Sequence, residues 1–214
     1  MLSDPLHQEL ARTPAGVRHP TTAGRQREDY RQYYNLETYL FDVVRLRFLE
    51  RGCLSAFDFF SIIVWKANRA KSKIAARLLR RGYQDLEEAV SALTGGLAAQ
   101  PSPKDRLSHL LVKWGFYLPM ASAILTVLYP DEFTVYDVRV CDALGDFHDL
   151  AEITRFERLW PRYEQFIEAV VAKAPAGLTL RDKDRYLWGR AFWDQLRQDV
   201  DTGFGAARST VTEQ

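Results

Sequence analysis

The sequence is poor in the residues that staple small scaffolds or hold metals. Among 214 residues there are only two cysteines, Cys53 and Cys141, too few for a disulfide framework, a zinc module or a cysteine-ligated iron–sulfur cluster. Nor is there a run of roughly 18 consecutive apolar residues, as a membrane-spanning helix requires. The longest candidate, Leu118 to Tyr129, is broken by Pro119, Ser122 and Thr126 and suits a buried helix. A charge excess is missing as well: 29 Lys plus Arg face 28 Asp plus Glu, for a formal net charge of +1. The N-terminal residues, among them Asp4, His7, Glu9 and Arg12, lack the apolar stretch of a signal peptide, so the expectation is a chain that is not secreted and has no membrane partner. What is present is 47% hydrophobic and 13% aromatic residues, enough for one substantial core.

Apolar spacing and breakers predict an all-α fold. Residues 1–28 hold Pro5, Pro14, Gly16, Pro20 and Gly24 among scattered arginines and read as a flexible basic arm; residues 201–214 read as a flexible tail. Leu36, Leu40, Val43, Val44 and Phe48 predict a helix within 30–50 that stops at Gly52. A second helix, 55–65, has Ser55 as N-cap, Asp58 completing a variant capping box, and an apolar face of Phe57, Phe60, Ile63 and Val64. Further helices are predicted over 70–81, stopping at Gly82, and 85–93, stopping at Gly95-Gly96. A short helix over 104–113, a tight connection at 114–118 and a helix over 119–128 with proline in its first turn make a helix, a hairpin and a helix. Phe133 to Tyr136 is extended, Asp137 is placed to cap a helix ending at Leu144-Gly145, and long helices follow over 153–173 and 180–200. No hairpin turn joins alternating apolar runs, which excludes a sheet.

Charge is uneven although the total is balanced. Lys66, Arg69, Lys71, Lys73, Arg77, Arg80 and Arg81 fall within sixteen residues that contain no acid, leaving −6 for the rest of the chain. Such a patch attracts phosphates by counterion release, whatever the base sequence. Lys66, Asn68 and Arg69 are placed in the turn between helices. The hairpin Lys113-Trp114-Gly115-Phe116-Tyr117-Leu118-Pro119 leads into a helix whose free N–H groups suit a phosphate. Asp137 is held as an anion by the helix dipole, ready to stabilise a developing cation or to orient water.

The order of these elements resembles the helix-hairpin-helix DNA glycosylases, base-excision enzymes that flip a base and cut its N-glycosidic bond. The match runs from Gly115 through Leu125, then from Phe133-Thr134-Val135-Tyr136-Asp137 through Val140 to Leu144-Gly145, with Phe57 to Arg69 resembling the helix that leads into the DNA-facing loop. The resemblance implies two helical lobes, a hairpin-bearing one over 55–147 and a second from 29–54 plus 148–200, with a cleft between them. It implies Asp137 as the catalytic residue, Asn68 and Arg69 filling the gap left by the flipped nucleotide, and DNA contacts from Lys66, Asn68, Arg69, Lys71, Lys73, Gly115 and Tyr117. The base pocket would take Trp65, Trp188 and Asp184, with Asp182 and Arg185 on its border; Trp114 and Trp193 are further stacking candidates.

Two departures refine this. Tyr117 stands where the family hairpin has its second glycine, and Pro119 stands where bifunctional members carry a Schiff-base lysine. Lys113, six residues before that position, does not replace it. The implied enzyme is therefore monofunctional, with water as nucleophile. No metal and no cofactor are expected, beyond a monovalent cation at the hairpin. The expected partner is double-stranded DNA, bound by a monomer in the cytoplasm (associated with the nucleoid) or in a nucleus. The alternative is a non-catalytic helical nucleic-acid-binding protein in which Asp137 only caps a helix. A helical protein-interaction module ranks behind both, since it leaves the basic turn unexplained.

Overall fold

Chain entry and elements are seen in a computed structural model that describes residues 29–204; the arm at 1–28 and the tail from 205 lie outside the described residues. The described chain is mostly helical, with no strand among the described residues. After a 3₁₀ turn at Tyr30–Tyr33, α1 (Leu36–Tyr39) starts behind the Asn35 cap and runs through a π-helical turn (Leu40–Val44) into α2 (Arg45–Arg51). Gly52 ends it in the left-handed conformation, as predicted. α3 (Ala56–Ala67) begins at Ser55, whose hydroxyl accepts the N–H of Asp58.

Two sequence expectations for α3 are corrected. Its buried stripe is Phe59, Ile62 and Ile63, while Phe57 is 59% exposed and meets the Tyr33 ring edge-to-face. α5 and α7 both pack on this helix, and the face it buries is the one they cover. Asp58 makes no capping box either: its buried carboxylate accepts from Tyr39 Oη (2.8 Å) and from Arg47 (2.9 Å), tying α3 to the first helical run. A buried carboxylate without such donors would cost several kcal/mol.

A 3₁₀ turn (Asn68–Ala70) leads to α4 (Lys71–Leu79), and α5 spans Leu86–Ala98. α5 runs straight through Gly95-Gly96 and does not stop there. Gly96 is instead a contact residue: a Cβ at this position would lie 2.8 Å from Cε1 of His109, a buried ring that hydrogen-bonds Leu93 O at 2.9 Å. α6 (Pro103–Ser108) continues as a π-helical turn (His109–Lys113) up to the hairpin, and α7 (Leu118–Leu128) follows it. α7 is apolar on every face and buried on almost every face, the pattern of a central helix. α8 (Val138–Leu144), a 3₁₀ turn (His148–Glu152), α9 (Phe156–Lys173) and α10 (Leu180–Asp201) complete the chain. α9 starts three residues later than predicted, since Ile153 is extended. One continuous apolar cluster runs from Tyr39 to Leu187. No helix among the described residues is long and apolar enough to cross a membrane.

The extended segment 133–136 is buried without a partner strand, so its backbone groups need other partners. Ser122 of α7 accepts the N–H of Tyr136 (2.9 Å), Asp184 of α10 accepts that of Val135 (3.3 Å), and Tyr163 of α9 donates to the carbonyl of Thr134 (2.6 Å). Three helices thereby fix the residue that comes next, Asp137.

Candidate active site

Asp137 is the N-cap of α8 and one oxygen, Oδ1, accepts the N–H of Arg139 at 3.1 Å. The other, Oδ2, is 2.6 Å from Nζ of Lys66, and the two side chains are 23% and 15% exposed. Burial by itself would raise the carboxyl's pKa; the hydrogen bond and charge of Lys66, helped by Arg139, outweigh it and hold Asp137 below the usual carboxylate range. The group is thus an anion at neutral pH. It opens onto a cavity of about 750 Å³.

The cavity wall comes from four parts of the sequence. α1 supplies Glu37, α3 Trp65 and Lys66, the start of α8 Asp137 and Arg139, and α10 Arg181, Asp184, Arg185 and Trp188. On α10 the steps of three and four residues between 181, 184, 185 and 188 put these side chains on one helix face. Asp184 is almost fully buried, accepts from Val135 N–H and Arg181, and is pushed up in pKa by that burial against the pull of Arg181. Glu37 receives Arg181 and Arg185 (2.9 Å); burial raises its carboxyl, and the two guanidiniums bring it below the usual range. Arg181 lies over Trp65 (5.3 Å) and Arg139 over Trp188 (4.9 Å), whose ring is stacked on Phe192. The chamber is therefore a charged box with two indole walls.

Trp65, Lys66, Asp137, Asp184, Arg185 and Trp188, all singled out by sequence, meet around this one cavity. Lys66 belongs to the last turn of α3, not to the interhelical turn where the sequence reading put it, because α3 runs two residues further than predicted. Asn68, Arg69, Lys71 and Lys73 stand exposed beyond it, with Lys71 donating to Asn68 (2.7 Å). Asp182 lies outside the cavity, bonded to Thr179 and Arg185. Trp114 is buried against Tyr83 and Trp193 is on the outer side of α10.

Sequence reasoning missed Glu37, Arg139 and Arg181. Glu37 meets Arg181 across 144 positions, a pairing with no local signature. Arg139 did leave a signal: a cation in the first turn of α8 opposes the helix dipole, and it is tolerated here because Asp137, Trp188 and Phe192 receive it.

The hairpin is held by Arg77 of α4 and by Arg81 just beyond that helix. Gly115 has φ +69°, which a residue with a Cβ adopts only at a cost. Its carbonyl accepts from Arg77 (2.5 Å), that of Lys113 accepts from Arg81 (2.6 Å), and the same two guanidiniums lie over Phe116 (4.5 Å) and Trp114 (4.6 Å). Two cations of the acid-free stretch are thus turned onto protein. The carbonyls of Lys113 and Gly115 each accept a guanidinium N–H, and these two positive charges beside the turn disfavour a further cation there. Tyr117, where the family pattern has glycine, is 75% exposed beside this turn.

No protein family, no curated protein and no solved structure matches the chain.

Proposed function

We propose that the protein is a DNA base-excision glycosylase that extrudes a damaged or modified base and hydrolyses its N-glycosidic bond. The observation that carries this reading is the Asp137 carboxylate, kept ionised and opening onto an indole-walled cavity of about 750 Å³. Extrusion of a nucleotide costs a few kcal/mol, offset by phosphate contacts and by a side chain entering the gap. Arg69 and Asn68, exposed at the 3₁₀ turn after α3, fill the gap, and Lys71 and Lys73 continue the basic surface. The sugar of the extruded nucleotide lies against Asp137. As the bond to the base breaks, positive charge develops on the sugar, and the fixed carboxylate stabilises it and orients the attacking water. Trp65 and Trp188 flank the base, and the Glu37, Arg181 and Asp184 network offers both donors and acceptors to its edge.

The same reading divides the chain into two lobes, 55–147 and 29–54 with 148–200, with the cavity in the cleft between them. Its support is the origin of the wall: Trp65, Lys66 and Asp137 come from the first, Glu37, Arg181, Asp184 and Trp188 from the second. The partner is double-stranded DNA and the protein acts as a monomer.

One observation favours a non-catalytic nucleic-acid binder: both oxygens of Asp137 already have partners, an N–H and an ammonium, which suffices for a structural cap. The test is to incubate the protein with duplexes carrying different damaged or modified bases, reveal abasic sites with hot alkali, and repeat with Asp137→Asn. Base release by the native protein that the substitution abolishes supports the glycosylase. A full panel without product, on duplexes that the protein binds, supports the binder.

A further inference from the structure

Leu187 is the last buried residue of α10, yet the helix continues to Asp201. On this continuation Trp193, Leu196 and Val200 stand 57%, 43% and 59% exposed. Their steps of three and four residues place them on one face, apart from the face that carries Asp184, Trp188 and Gln195 to the cavity. Large apolar side chains gathered on an exposed surface mark a site of interaction, and a helix end of this length gains little stability until something packs on it. Along one border of the row run Arg190, Asp194, Arg197 and Asp201. Within the helix these pair only loosely, Arg190 with Asp194 at 3.7 Å and Arg197 with Asp201 at 4.0 Å. Their signs alternate, and their spacings of four, three and four read the same in both directions. Reversing the helix therefore puts an opposite charge at the level of every one of them.

We infer that the outer face of α10 pairs with the same face of a second copy of this chain, antiparallel about a twofold axis between Gln195 and Leu196. Arg190 then faces the partner's Asp201, and Asp194 faces the partner's Arg197. The partner's Val200 comes level with the gap that Gly189 leaves beside Trp193, so the two apolar rows interdigitate. A parallel pair in register sets each charge level with its own kind, and border charges of this sort decide partner and orientation in paired helices. The contact is self-complementary, as a twofold interface must be. It does not depend on the glycosylase reading. One copy holds the whole cavity wall and still acts alone on its own stretch of DNA, while the pairing leaves both cavities open. A single helix pair is smaller than the ~1,200–2,000 Å² interfaces of stable complexes, so the dimer is weak and disperses on dilution, with a Kd on the order of 10–100 µM. Salt screens its exposed charge pairs and weakens it further.

Sedimentation equilibrium of the full chain between about 1 and 500 µM should show monomer passing over into dimer. Trp193→Glu should hold the chain monomeric throughout. Asp194→Arg combined with Asp201→Arg makes the border wholly cationic, and Arg190→Asp combined with Arg197→Asp makes it wholly anionic. Each double variant should be monomeric alone, and an equimolar mixture of the two should form the dimer again. A dimer that survives Trp193→Glu overturns the inference, as does a mixture of two helical double variants, checked by circular dichroism, that fails to associate. A native chain still monomeric at about 500 µM overturns it as well. Fast reaction of Trp193→Cys with a thiol reagent in that monomer then leaves the face to a different protein, and slow reaction assigns its cover to a segment of the same chain.

Discussion

Replacing Asp137 separates chemistry from architecture, because asparagine and alanine damage different parts of its role. Asparagine caps helices as well as aspartate, and its Oδ1 can still accept the Arg139 N–H that Asp137 accepts at 3.1 Å. What it loses is the negative charge and the ion pair with Lys66. Since both side chains of that pair keep some contact with water, the stability cost of Asp137→Asn should be about 1 kcal/mol, well short of the ~3–5 kcal/mol for breaking a fully buried pair. Alanine also removes the cap, for about 1 kcal/mol more. On the glycosylase reading the catalytic cost is larger. A carboxylate about 4 Å from a developing cation, at an effective dielectric of about 20, contributes about 4 kcal/mol, which is about a thousandfold in rate. Lys66, left without its counterion, would then face the cationic sugar and add to the loss. Urea unfolding and single-turnover base release should therefore diverge: asparagine and alanine variants differ in stability but share a rate lower by about a thousandfold or more. An asparagine variant within about tenfold of the native rate would refute the electrostatic argument, and one that fails to fold would show that the ion pair is architectural.

The packing of His109 on Gly96 gives a second test. Gly96→Ala forces a Cβ to within 2.8 Å of the ring, and overpacking of about 1–3 kcal/mol should outweigh the ~1 kcal/mol that alanine gains in a helix, visible as a lower urea midpoint. His109 also sets a pH dependence. Burial depresses its pKa, with the Leu93 carbonyl opposing and Lys113 adding to the shift, so its contribution to stability is complete above the unfolded value near 6.5 and is lost as pH falls towards its folded pKa, with a slope of at most about 1.4 kcal/mol per pH unit. Asp184, raised by burial, has the opposite sign, so the measurement is the difference in pH profile between the native chain and His109→Gln between pH 7.5 and 5; identical profiles would exclude the ring. Finally, Arg69→Ala with Lys73→Ala should reduce the slope of log affinity against log salt for DNA by at most about two counterions, and an unchanged slope would place the phosphates elsewhere.

Much of the architecture was readable because the chain's breakers are local. Ser55, Asp137, Gly52 and Gly145 cap or end their helices where spacing placed them, each through a single residue's geometry. Gly95-Gly96 misled because a glycine pair reads as a helix stop, whereas Gly96 serves a contact with His109 that no local pattern encodes. Asp58 misled likewise: its capping position hid a buried bond to Tyr39 and Arg47, 19 and 11 residues away. The candidate site was half legible. Trp65, Lys66 and Asp137 lay in motifs, while Glu37 and Arg181 became visible only once α1 and α10 met.

That division also bears on how the site is held. Asp137 is placed by a segment whose backbone bonds come from Ser122, Tyr163 and Asp184, one from each of α7, α9 and α10. Asp184 is the residue common to this scaffold and to the cavity wall, since its carboxylate both receives Val135 N–H and anchors Arg181. Asp184→Ala would leave that N–H without its acceptor and Arg181 held by Glu37 alone, so its effects should spread to the position of Asp137. Asp184→Asn keeps an acceptor for Val135 and weakens only the grip on Arg181. If the wall acts through charge, the two variants should differ in folding stability and agree in base release; if it acts by holding Asp137 in place, asparagine should retain most of the activity that alanine loses.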